Sequence, residues 1–360
     1  MAFASLRANA TCVIYALGGG MGHLTRGLAL ARHAARDGRH VWVLSNSRFA
    51  PLLAGTGPIP RGFQRLIHLE PQIEMVPIPW QEDKQGVAAA IQRFFHAIPA
   101  PEVLVVDTFP RGLAGELKDL LRTTAALKVL VHRDLNPEYL RWESHDSCIP
   151  SYDLILVPGE AAPLEGLPQA RRTTPWLICD LPEFLSVSAA RAVLGAALQA
   201  SGQGPTRRDQ PLIVVIGTGK PAETFTAAEA ALDLSRRVEG RALVRLATFD
   251  DAARARCPDL ACSVWPLLAV HQGIDLLIGA GGYNTVYEAR GTGTPLIAVA
   301  QPRLYDRQAR RLRPTEIAAD WSEGIDLAER QLDRLGWAPK PTVGELGSGA
   351  GDAWQWIELG

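Results

Sequence analysis

Short apolar runs alternate with helical patterns along most of this sequence, and this alternation restricts the fold more than any other feature. Five runs in the first half have the length and residue types of buried strands: Cys12–Leu17, Val41–Leu44, Val103–Val106, Val129–His132 and Leu154–Val157. Four more follow in the second half: Leu212–Ile216, Ala242–Leu246, Ile274–Ile278 and Leu296–Val299. Near-continuous apolar strands are typical of parallel sheets that helices cover on both faces. The sequence therefore predicts an α/β fold with doubly wound parallel sheets.

The stretches between these strands have helical character. In His23–Arg36, Leu24, Leu28 and Ala31 recur at the spacing of one helical face, and Gly38 follows as a stop signal. Two further helices are predicted in the second half: Ala222–Arg237 and Thr285–Arg290. The chain therefore opens with a βαβ unit, and the pattern repeats after residue 210.

The length of 360 residues points to two domains, because single cores stop growing at roughly 250 to 300 residues. A predicted helix over Leu185–Gly204 and the Gly-, Pro- and charge-rich segment 201–211 precede the strands of the second half. We place one domain at residues 1–178 and the other at 179–335. The tail 336–360, which holds Trp337, Trp354 and Trp356, is expected to pack back on the first domain.

Charge and cysteine content exclude several classes of protein. Thirty-seven Lys and Arg residues stand against 38 Asp and Glu, so no net basic field exists to hold nucleic acid. The five cysteines are odd in number and scattered, which favours reduced thiols in a cytoplasmic protein. No stretch reaches the roughly 20 apolar residues of a membrane span. Contact with a membrane surface stays open, because the basic stretch Arg303–Arg313 fits either acidic lipids or a solvated helix face.

The first of three glycine-rich loops, Gly18-Gly19-Gly20-Met21-Gly22-His23, joins a strand to a helix. Ligands of parallel sheets bind at this strand end, where a helix N-terminus offers free N–H groups to an anion. A plain tight turn is the alternative reading. The loop is not a dinucleotide fingerprint, because His23 replaces the third glycine and no acidic residue follows Leu44-Ser45-Asn46.

The second loop, Gly217-Thr218-Gly219-Lys220, follows the strand Leu212–Ile216. It is not a Walker A motif, because Val214 stands at the first glycine position and Pro221 stands where Ser or Thr would bind magnesium. A strand, a glycine turn, a lysine and a proline at a helix start nevertheless predict an anion site.

The third loop, Gly279-Ala280-Gly281-Gly282-Tyr283-Asn284-Thr285, again leads from a strand into a helix, and Glu288 lies about one turn into that helix. A carboxylate beside an anion site is useful if it accepts hydrogen bonds from sugar hydroxyls. It could equally complement the helix dipole. A polar cluster that contains Asp306 and Gln308 follows the next strand.

Polar residues also end two strands of the first half. Asp107 follows Val103–Val106, and His132, Arg133 and Asp134 end the next strand. Asp107 is either a base or a helix cap, and a salt bridge explains the other three as well as a function does. There is no HExxH pattern, and no DxD-like acidic pair stands beside a glycine loop, so no bound metal or other cofactor is expected.

The segments GGGMGHLTRGLALARHA and GAGGYNTVYEARGTGTPLIAVAQPRLYDRQARR together resemble the GT-B glycosyltransferases, especially those similar to the peptidoglycan lipid-linked N-acetylglucosaminyltransferase. The resemblance is strongest over 12–38 and 273–312. It implies two Rossmann-like domains that face each other across a cleft, with the acceptor on the first domain and a nucleotide-sugar on the second.

The resemblance also implies roles for single residues. Glu288 would bind the ribose hydroxyls, Thr285 and the Gly281–Gly282 backbone the diphosphate, and Asp306 and Gln308 the donor sugar. The whole expected donor site comprises Gly217, Thr218, Gly219, Lys220, Gly281, Gly282, Asn284, Thr285, Glu288, Asp306 and Gln308. The expected acceptor site comprises Gly19, Gly20, Gly22 and His23.

The chemistry expected from this set is inverting transfer of a hexosyl group from a nucleotide-sugar, with uridine as the base, to an acceptor hydroxyl. His23 at a helix start has a lowered pKa and is one candidate base; Asp107 is the other. Two alternatives stay open: a 2-epimerase or hydrolase of nucleotide-sugars, and a non-catalytic nucleotide-sugar-binding partner. The acceptor is not identified, although 61–98, with Trp80, Phe94 and Phe95, shapes either its site or a hydrophobic core.

Overall fold

The structure is a computed structural model, and it describes residues 11–79, 83–142, 148–200, 210–332 and 349–359. Trp80, Trp337 and most of the 201–211 segment lie outside the described residues. Two parallel sheets dominate the fold, one in each half of the chain.

The first half folds around a seven-stranded parallel sheet. Its strands in chain order, together with the short β3 that lies outside it, are β1 Thr11–Tyr15, β2 His40–Ser45, β3 Gln64–Arg65, β4 Ile73–Pro77, β5 Val103–Asp107, β6 Leu127–Val131, β7 Leu154–Pro158 and β8 Ala170–Thr173. The strand order across the sheet is β4-β2-β1-β5-β6-β7-β8. The helices are α1 Met21–Arg36, α2 Ala50–Ala54, α3 Lys84–Ala97, α4 Lys118–Thr123 and α5 Pro137–Trp142, with short 3-10 turns at Ile149–Ser151 and Leu181–Glu183.

The second half folds around a six-stranded parallel sheet of order β11-β10-β9-β13-β14-β15. The strands, with β12 outside this sheet, are β9 Leu212–Gly217, β10 Leu243–Thr248, β11 Ala261–Cys262, β12 Val264–Trp265, β13 Leu276–Ala280, β14 Leu296–Val299 and β15 Ile317–Ala318. The helices are α6 Val187–Ala200, α7 Pro221–Arg237, α8 Asp251–Arg256, α9 Tyr283–Gly291, α10 Gln308–Arg311, α11 Trp321–Gln331 and α12 Gly349–Leu359, with a 3-10 helix at Leu267–Gly273.

Helices cover both faces of each sheet, which explains why the central strands are apolar throughout. In β1, Cys12 and Ile14 pack into one core cluster while Val13 and Tyr15 pack into another on the opposite face. Alternate side chains of a strand point to opposite faces, so a strand that is buried on both faces shows no polar alternation. The prediction of doubly wound parallel sheets is confirmed.

All nine strands predicted from the sequence are present, with ends shifted by up to two residues. Two longer strands were not predicted: β4, which carries the exposed Glu74, and β8, which carries Arg171 and Arg172. Both lie at the edges of the seven-stranded sheet, where one side of the strand faces solvent and charged residues are tolerated. The other missed strands have two residues each and are too short to produce a pattern.

The two halves contact each other outside their sheets. Strand β3 of the first half pairs in parallel with β12 of the second, with Gln64 opposite Val264. Helix α12 returns to the first half and packs against α1, where the Trp354 indole N–H donates to Asp37 at 2.5 Å. Arg39 of the first half binds Glu358 at 2.8 Å. Helix α6 packs its buried Ala190 and Leu194 into a core of the second half.

Candidate functional site

A large cleft, with a volume of about 690 Å³, separates the carboxyl ends of the two sheets. Loops after strands β1, β2, β5 and β6 form its first wall, and loops after β9, β10, β13 and β14 form the other. All three glycine-rich loops reach it. Ligand sites of parallel α/β sheets lie at this position.

The first glycine loop is held by an amide that follows β2. The Asn46 Oδ1 atom accepts hydrogen bonds from the backbone N–H groups of Gly18, at 2.8 Å, and Gly19, at 2.9 Å. Gly19 has a φ of +74°, a left-handed conformation that glycine adopts without strain. Helix α1 then begins with no capping side chain and no acidic residue in its first turn. Its first N–H groups therefore remain able to bind an anion or an acceptor oxygen.

His23 and Asp107 form one unit. The His23 Nδ1 atom lies 2.6 Å from Asp107 Oδ2, and Arg26 binds the same carboxylate through Nε at 2.9 Å and Nη2 at 2.6 Å. Because the carboxylate is an acceptor, the neutral ring carries its proton on Nδ1 and leaves Nε2 as an acceptor. Gly18 stands against the other side of the ring: a Cβ atom there would lie 2.4 Å from His23 Nε2.

The two candidate bases differ in protonation and access. Burial lowers the pKa of His23, against the opposing effect of Asp107, so the ring is neutral at pH 7. Burial opposes ionisation of Asp107, but Arg26 and His23 outweigh it and lower the pKa of this carboxyl to about 2. His23 lines the cleft, whereas Asp107 is 2% exposed and lies behind it. The alternative reading of Asp107 as a helix cap is wrong, because its carboxylate binds His23 and Arg26 instead.

The second glycine loop presents an unpaired ammonium group. Lys220 precedes α7, whose first residue is Pro221, and its side chain is exposed at the cleft. The other cations on the cleft wall have carboxylate partners: Arg48 binds Asp250 at 2.7 Å, Arg303 binds Glu223 at 2.5 Å, and Arg133 lies 3.4 Å from Asp306. Among the residues that the structure describes, no carboxylate pairs with Lys220 within 4 Å.

The third glycine loop leads into α9, which begins after Gly282 without a capping side chain. Asn284, Thr285 and Glu288 of this helix line the cleft. The Asn284 Oδ1 atom is buried and has no hydrogen-bond partner in the described part of the chain. Burial raises the pKa of Glu288 to about 7, and within the described ranges no cation or donor pairs with this carboxylate. A site that leaves a carboxylate and an amide oxygen unsatisfied is suited to a ligand rich in hydroxyl groups.

Two of the predicted donor residues lie behind the cleft wall. Gly217 is the last residue of β9, and a Cβ atom there would lie 3.2 Å from Leu246. Gly281 packs against Leu312, and its carbonyl accepts a hydrogen bond from Arg311 at 2.9 Å. Neither glycine lines the cleft, although their neighbours Thr218, Ala280 and Gly282 do, and the expectation that these two glycines contact the donor stays a prediction.

Asp306 and Gln308 line the cleft but already have protein partners. Arg311 binds Asp306 at 2.7 Å, and burial of this carboxyl is outweighed by Arg133 and Arg311, which lower its pKa to about 2. The Gln308 Oε1 atom accepts a hydrogen bond from the backbone N–H of Gln301 at 2.9 Å. The Gln308 amide NH₂ and the remaining lone pairs of Asp306 are the groups that a sugar could still bind.

Several cleft residues were not predicted. Asn46 and Arg48 follow β2, Phe109 follows β5, and Trp265 precedes the 3-10 helix of the second half. Because ligands of parallel sheets bind at the carboxyl ends of strands, the positions of Asn46, Arg48 and Phe109 just after strands could have identified them. By contrast, Phe94 and Phe95 do not line the cleft; they contact each other and pack beside the core of the first half, so the alternative of a hydrophobic core is correct for them.

Neither a metal cluster nor a membrane-crossing helix is present in the described residues. No three His, Cys, Asp or Glu side chains there come together as metal ligands. None of the helices is both long enough and apolar enough to cross a membrane.

Comparisons with known proteins place the fold. No protein-family model and no curated protein sequence matches the chain. The glycosyltransferase of kitacinnamycin matches with a TM-score of 0.55 at 15% identity, covering 97% of this chain and 98% of that one. The spinosyn rhamnosyltransferase SpnG complexed with thymidine diphosphate matches with a TM-score of 0.52 at 16% identity, covering 97% of this chain and 96% of that one.

UDP-N-acetylglucosamine 2-epimerase from Rickettsia bellii matches with a TM-score of 0.57 at 10% identity, again covering 97% and 96%. At these identities the likeness shows the fold alone. The chain has the two-domain fold of the GT-B glycosyltransferases, as the sequence resemblance implied, and this fold is shared with an epimerase.

Proposed function

We propose that the protein is an inverting glycosyltransferase that moves a sugar from a UDP-sugar, or the similar dTDP-sugar, to a hydroxyl group of a small acceptor. One observation carries the proposal: a neutral histidine held by a buried aspartate faces, across one cleft, an unpaired carboxylate beside an uncapped helix N-terminus. The first pair fits an acceptor hydroxyl, and the second fits the ribose and diphosphate of a donor.

The donor half of the cleft offers a group for each part of a nucleotide-sugar. Glu288 accepts hydrogen bonds from the ribose hydroxyls, and the first N–H groups of α9 bind the diphosphate together with Lys220. Phe249 and Trp265 form an apolar wall for the base. Asp306 and Gln308 bind hydroxyl groups of the transferred sugar. The assignments to Glu288, Lys220, Asp306 and Gln308 follow the sequence analysis, whereas Phe249 and Trp265 are assigned from their place in the lining of the cleft.

The reaction requires one proton transfer and one substitution. The acceptor hydroxyl donates its hydrogen bond to His23 Nε2, and its oxygen attacks the anomeric carbon from the face opposite the diphosphate. A bond forms from the acceptor oxygen to that carbon while the bond to the phosphate oxygen breaks, and the proton passes to Nε2. Asp107 stabilises the resulting imidazolium and holds the ring in place. The nucleoside diphosphate leaves, and His23 later releases the proton to solvent.

The acceptor half of the cleft contains an apolar surface near His23. Met21, Phe109, Leu113 and Leu135 line it, and the ring of Phe109 stacks beside that of His23 at 5.7 Å between centroids. Such a surface favours an apolar molecule that carries a hydroxyl group. The spinosyn rhamnosyltransferase has also been solved in complex with spinosyn aglycone, at a TM-score of 0.52 and 17% identity, which supports a small-molecule acceptor here.

Epimerisation or hydrolysis of a nucleotide-sugar is the second candidate, because an epimerase shares the fold. Such reactions need acids and bases that act on the donor sugar alone. In the described part of the cleft, Asp134 and Asp306 are bound to arginines, and Glu288 is the carboxylate left unpaired. The distribution of carboxylates therefore favours transfer to an acceptor.

Release of nucleoside diphosphate from UDP-glucose, UDP-N-acetylglucosamine and dTDP-glucose tests the proposal, with and without a panel of phenols and aliphatic alcohols. We expect release that depends on one acceptor and a glycoside of inverted configuration by NMR. His23→Ala is expected to keep nucleotide binding and to lower turnover by about 10²–10⁴-fold. Isomerised sugar or release without acceptor supports the second candidate, and full turnover by His23→Ala would refute the assignment of the base.

A further inference from the structure

The first residue of the donor-loop helix reaches into the opposite domain. Tyr283 begins α9, yet its side chain is only 3% exposed, because it is buried against residues of the first half. Its hydroxyl accepts a hydrogen bond from the backbone N–H of Trp176 at 3.1 Å. The sequence singled out the glycines and Glu288 around this residue, but not the tyrosine itself.

Two buried guanidinium groups lie over the ring of Tyr283. The guanidinium carbon of Arg133 is 4.6 Å from the ring centroid, and that of Arg26 is 5.3 Å away. Burial lowers the pKa of Arg133, so this cation lacks much of its hydration. The Arg26 Nη1 atom is buried and makes no hydrogen bond with the residues described here. A ring face is the group that can compensate such a cation, by about 0.5–2 kcal/mol for each pair.

One of these cations also holds the proposed base. Arg26 grips both oxygens of Asp107, and Asp107 holds Nδ1 of His23. A continuous series of contacts thus leads from the donor helix through Arg26 and Asp107 to His23. Each member is nearly or fully buried except His23, whose ring is 18% exposed at the cleft.

We infer that Tyr283 is a positioning residue: its ring fixes Arg26, and through Arg26 and Asp107 it fixes the orientation and tautomer of His23. The expected effect of Tyr283 on turnover rests on the proposed function. The effect of Tyr283 on the orientation and tautomer of His23 does not, because it concerns the ligand-free protein. The base is then aligned by the same helix whose N-terminus binds the donor diphosphate, so alignment depends on contact between the two domains.

The next turn of the same helix supplies a matched control. The Tyr287 hydroxyl donates a hydrogen bond to the Gly159 carbonyl at 3.2 Å, so this tyrosine also joins α9 to the first half. Its ring lies over neither Arg26 nor Arg133; the cation near it is Arg290 of its own helix, at 5.9 Å. Its ring also contacts that of Tyr283, at 4.7 Å between centroids. Loss of Tyr287 therefore removes the hydrogen bond to Gly159 and this ring contact, but leaves the Tyr283 ring over Arg26 and the contacts from Arg26 to His23 in place.

Side-chain ¹⁵N NMR of the ligand-free protein tests the inference, with the His23 signals identified by their absence in His23→Ala. Wild type and Tyr283→Phe are expected to show one His23 tautomer, protonated on Nδ1. Tyr283→Phe leaves the Trp176 N–H unpaired and loses thermal stability, since an unsatisfied buried donor costs about 1–3 kcal/mol. Tyr283→Leu is expected to show both tautomers, while Tyr287→Leu keeps the single one.

Turnover with UDP-glucose or dTDP-glucose, whichever is the substrate, supplies the second readout. We expect Tyr283→Leu to lower kcat by about 10-fold, equivalent to about 1.4 kcal/mol, with the donor KM changed less than about 2-fold. A single native tautomer in Tyr283→Leu, or equal tautomer mixing in Tyr287→Leu, overturns the inference. If no sugar nucleotide is turned over but only Tyr283→Leu mixes the tautomers, the positioning role stands and the proposed function fails.

Discussion

Replacement of Glu288 by glutamine should stabilise the free protein at pH 8 but reduce the further stabilisation that a bound nucleotide gives. The pKa of this half-buried carboxyl is raised from 4.5 to about 7 by burial, and no described group pairs with it. Ionised Glu288 therefore destabilises the folded state. A functional carboxylate that awaits a ligand has this property, whereas a carboxylate that serves the fold is paired and has a lowered pKa.

The sign and size of the effect follow from proton linkage. The folded protein binds the Glu288 proton more tightly than the unfolded chain does, so the free energy of unfolding falls as pH rises from 4.5 to about 7 and is constant above that. At about 1.4 kcal/mol per tenfold change in acidity the loss is at most about 3.5 kcal/mol, and solvent contact of a half-buried group reduces it to about 1–2 kcal/mol. Glu288→Gln has no carboxyl group to ionise, so it should be more stable than the wild type at pH 8 but not at pH 5.

Thermal unfolding at pH 5 and pH 8 measures the difference, with about 2–4 °C expected for each kcal/mol. The control is Glu223→Gln. Burial of Glu223 is outweighed by its hydrogen bonds from Arg303, which lower its pKa, so this variant should be less stable than wild type at pH 8. A Glu288→Gln protein that gains nothing between pH 5 and pH 8 would refute the reasoning.

The same variant tests the donor site when nucleotide is added. A nucleotide at 100 times its Kd stabilises the wild type by about 2.7 kcal/mol. If the amide costs about 1.4–2.8 kcal/mol of ribose binding, the same concentration stabilises Glu288→Gln by only about 0.4–1.4 kcal/mol. UDP at pH 8 is the probe. Equal stabilisation of both proteins by the bound nucleotide would place the ribose elsewhere in the cleft.

Three further substitutions address the other parts of the site. Asp107→Asn leaves Arg26 buried without its charge partner, so it should lower the free energy of unfolding by about 3–5 kcal/mol in denaturant unfolding and should also lower turnover. An unchanged free energy of unfolding would contradict the buried ion pair. Lys220→Ala should lower the affinity for UDP by about 10-fold in calorimetry and leave the affinity for uridine unchanged. An unchanged affinity for UDP would show that the lysine does not contact the diphosphate. Gly18→Ala places a Cβ within 2.3 Å of the His23 ring and should lower kcat with nucleotide affinity retained; unchanged kcat would show that the ring can move without loss.

The parts of the fold that the sequence predicted are those where burial on both faces removes every polar residue. Central strands such as Val103–Asp107 are apolar until their last residue, so their positions are evident from a single sequence. Edge strands such as Ile73–Pro77 carry charge on their open side and lose that signal. Their partners are set by the sheet, which a local pattern does not contain.

The same limit applies to the candidate site. Glycines between a strand and a helix identify the three loops, because that local order already implies a strand end at a ligand. The relation between His23 and Asp107 could not be predicted, since the two side chains lie 84 residues apart and the sequence offers them as rivals. Arg26 looks like a solvated residue on a helix, yet it is buried, because Asp107 neutralises its charge and the ring of Tyr283, from a second distant segment, lies over it.

Several ion pairs at and behind the cleft join the two halves of the chain. Arg48 with Asp250, Arg307 with Asp134 and Arg311 with Glu160 each connect one half of the chain to the other. These guanidinium groups are already neutralised, so a diphosphate would have to break an ion pair to use them. Lys220 and the uncapped starts of α1 and α9 are free of that cost. If the leaving group is a nucleoside diphosphate, as proposed, Lys220 and these two helix starts can meet its negative charge without breaking an ion pair.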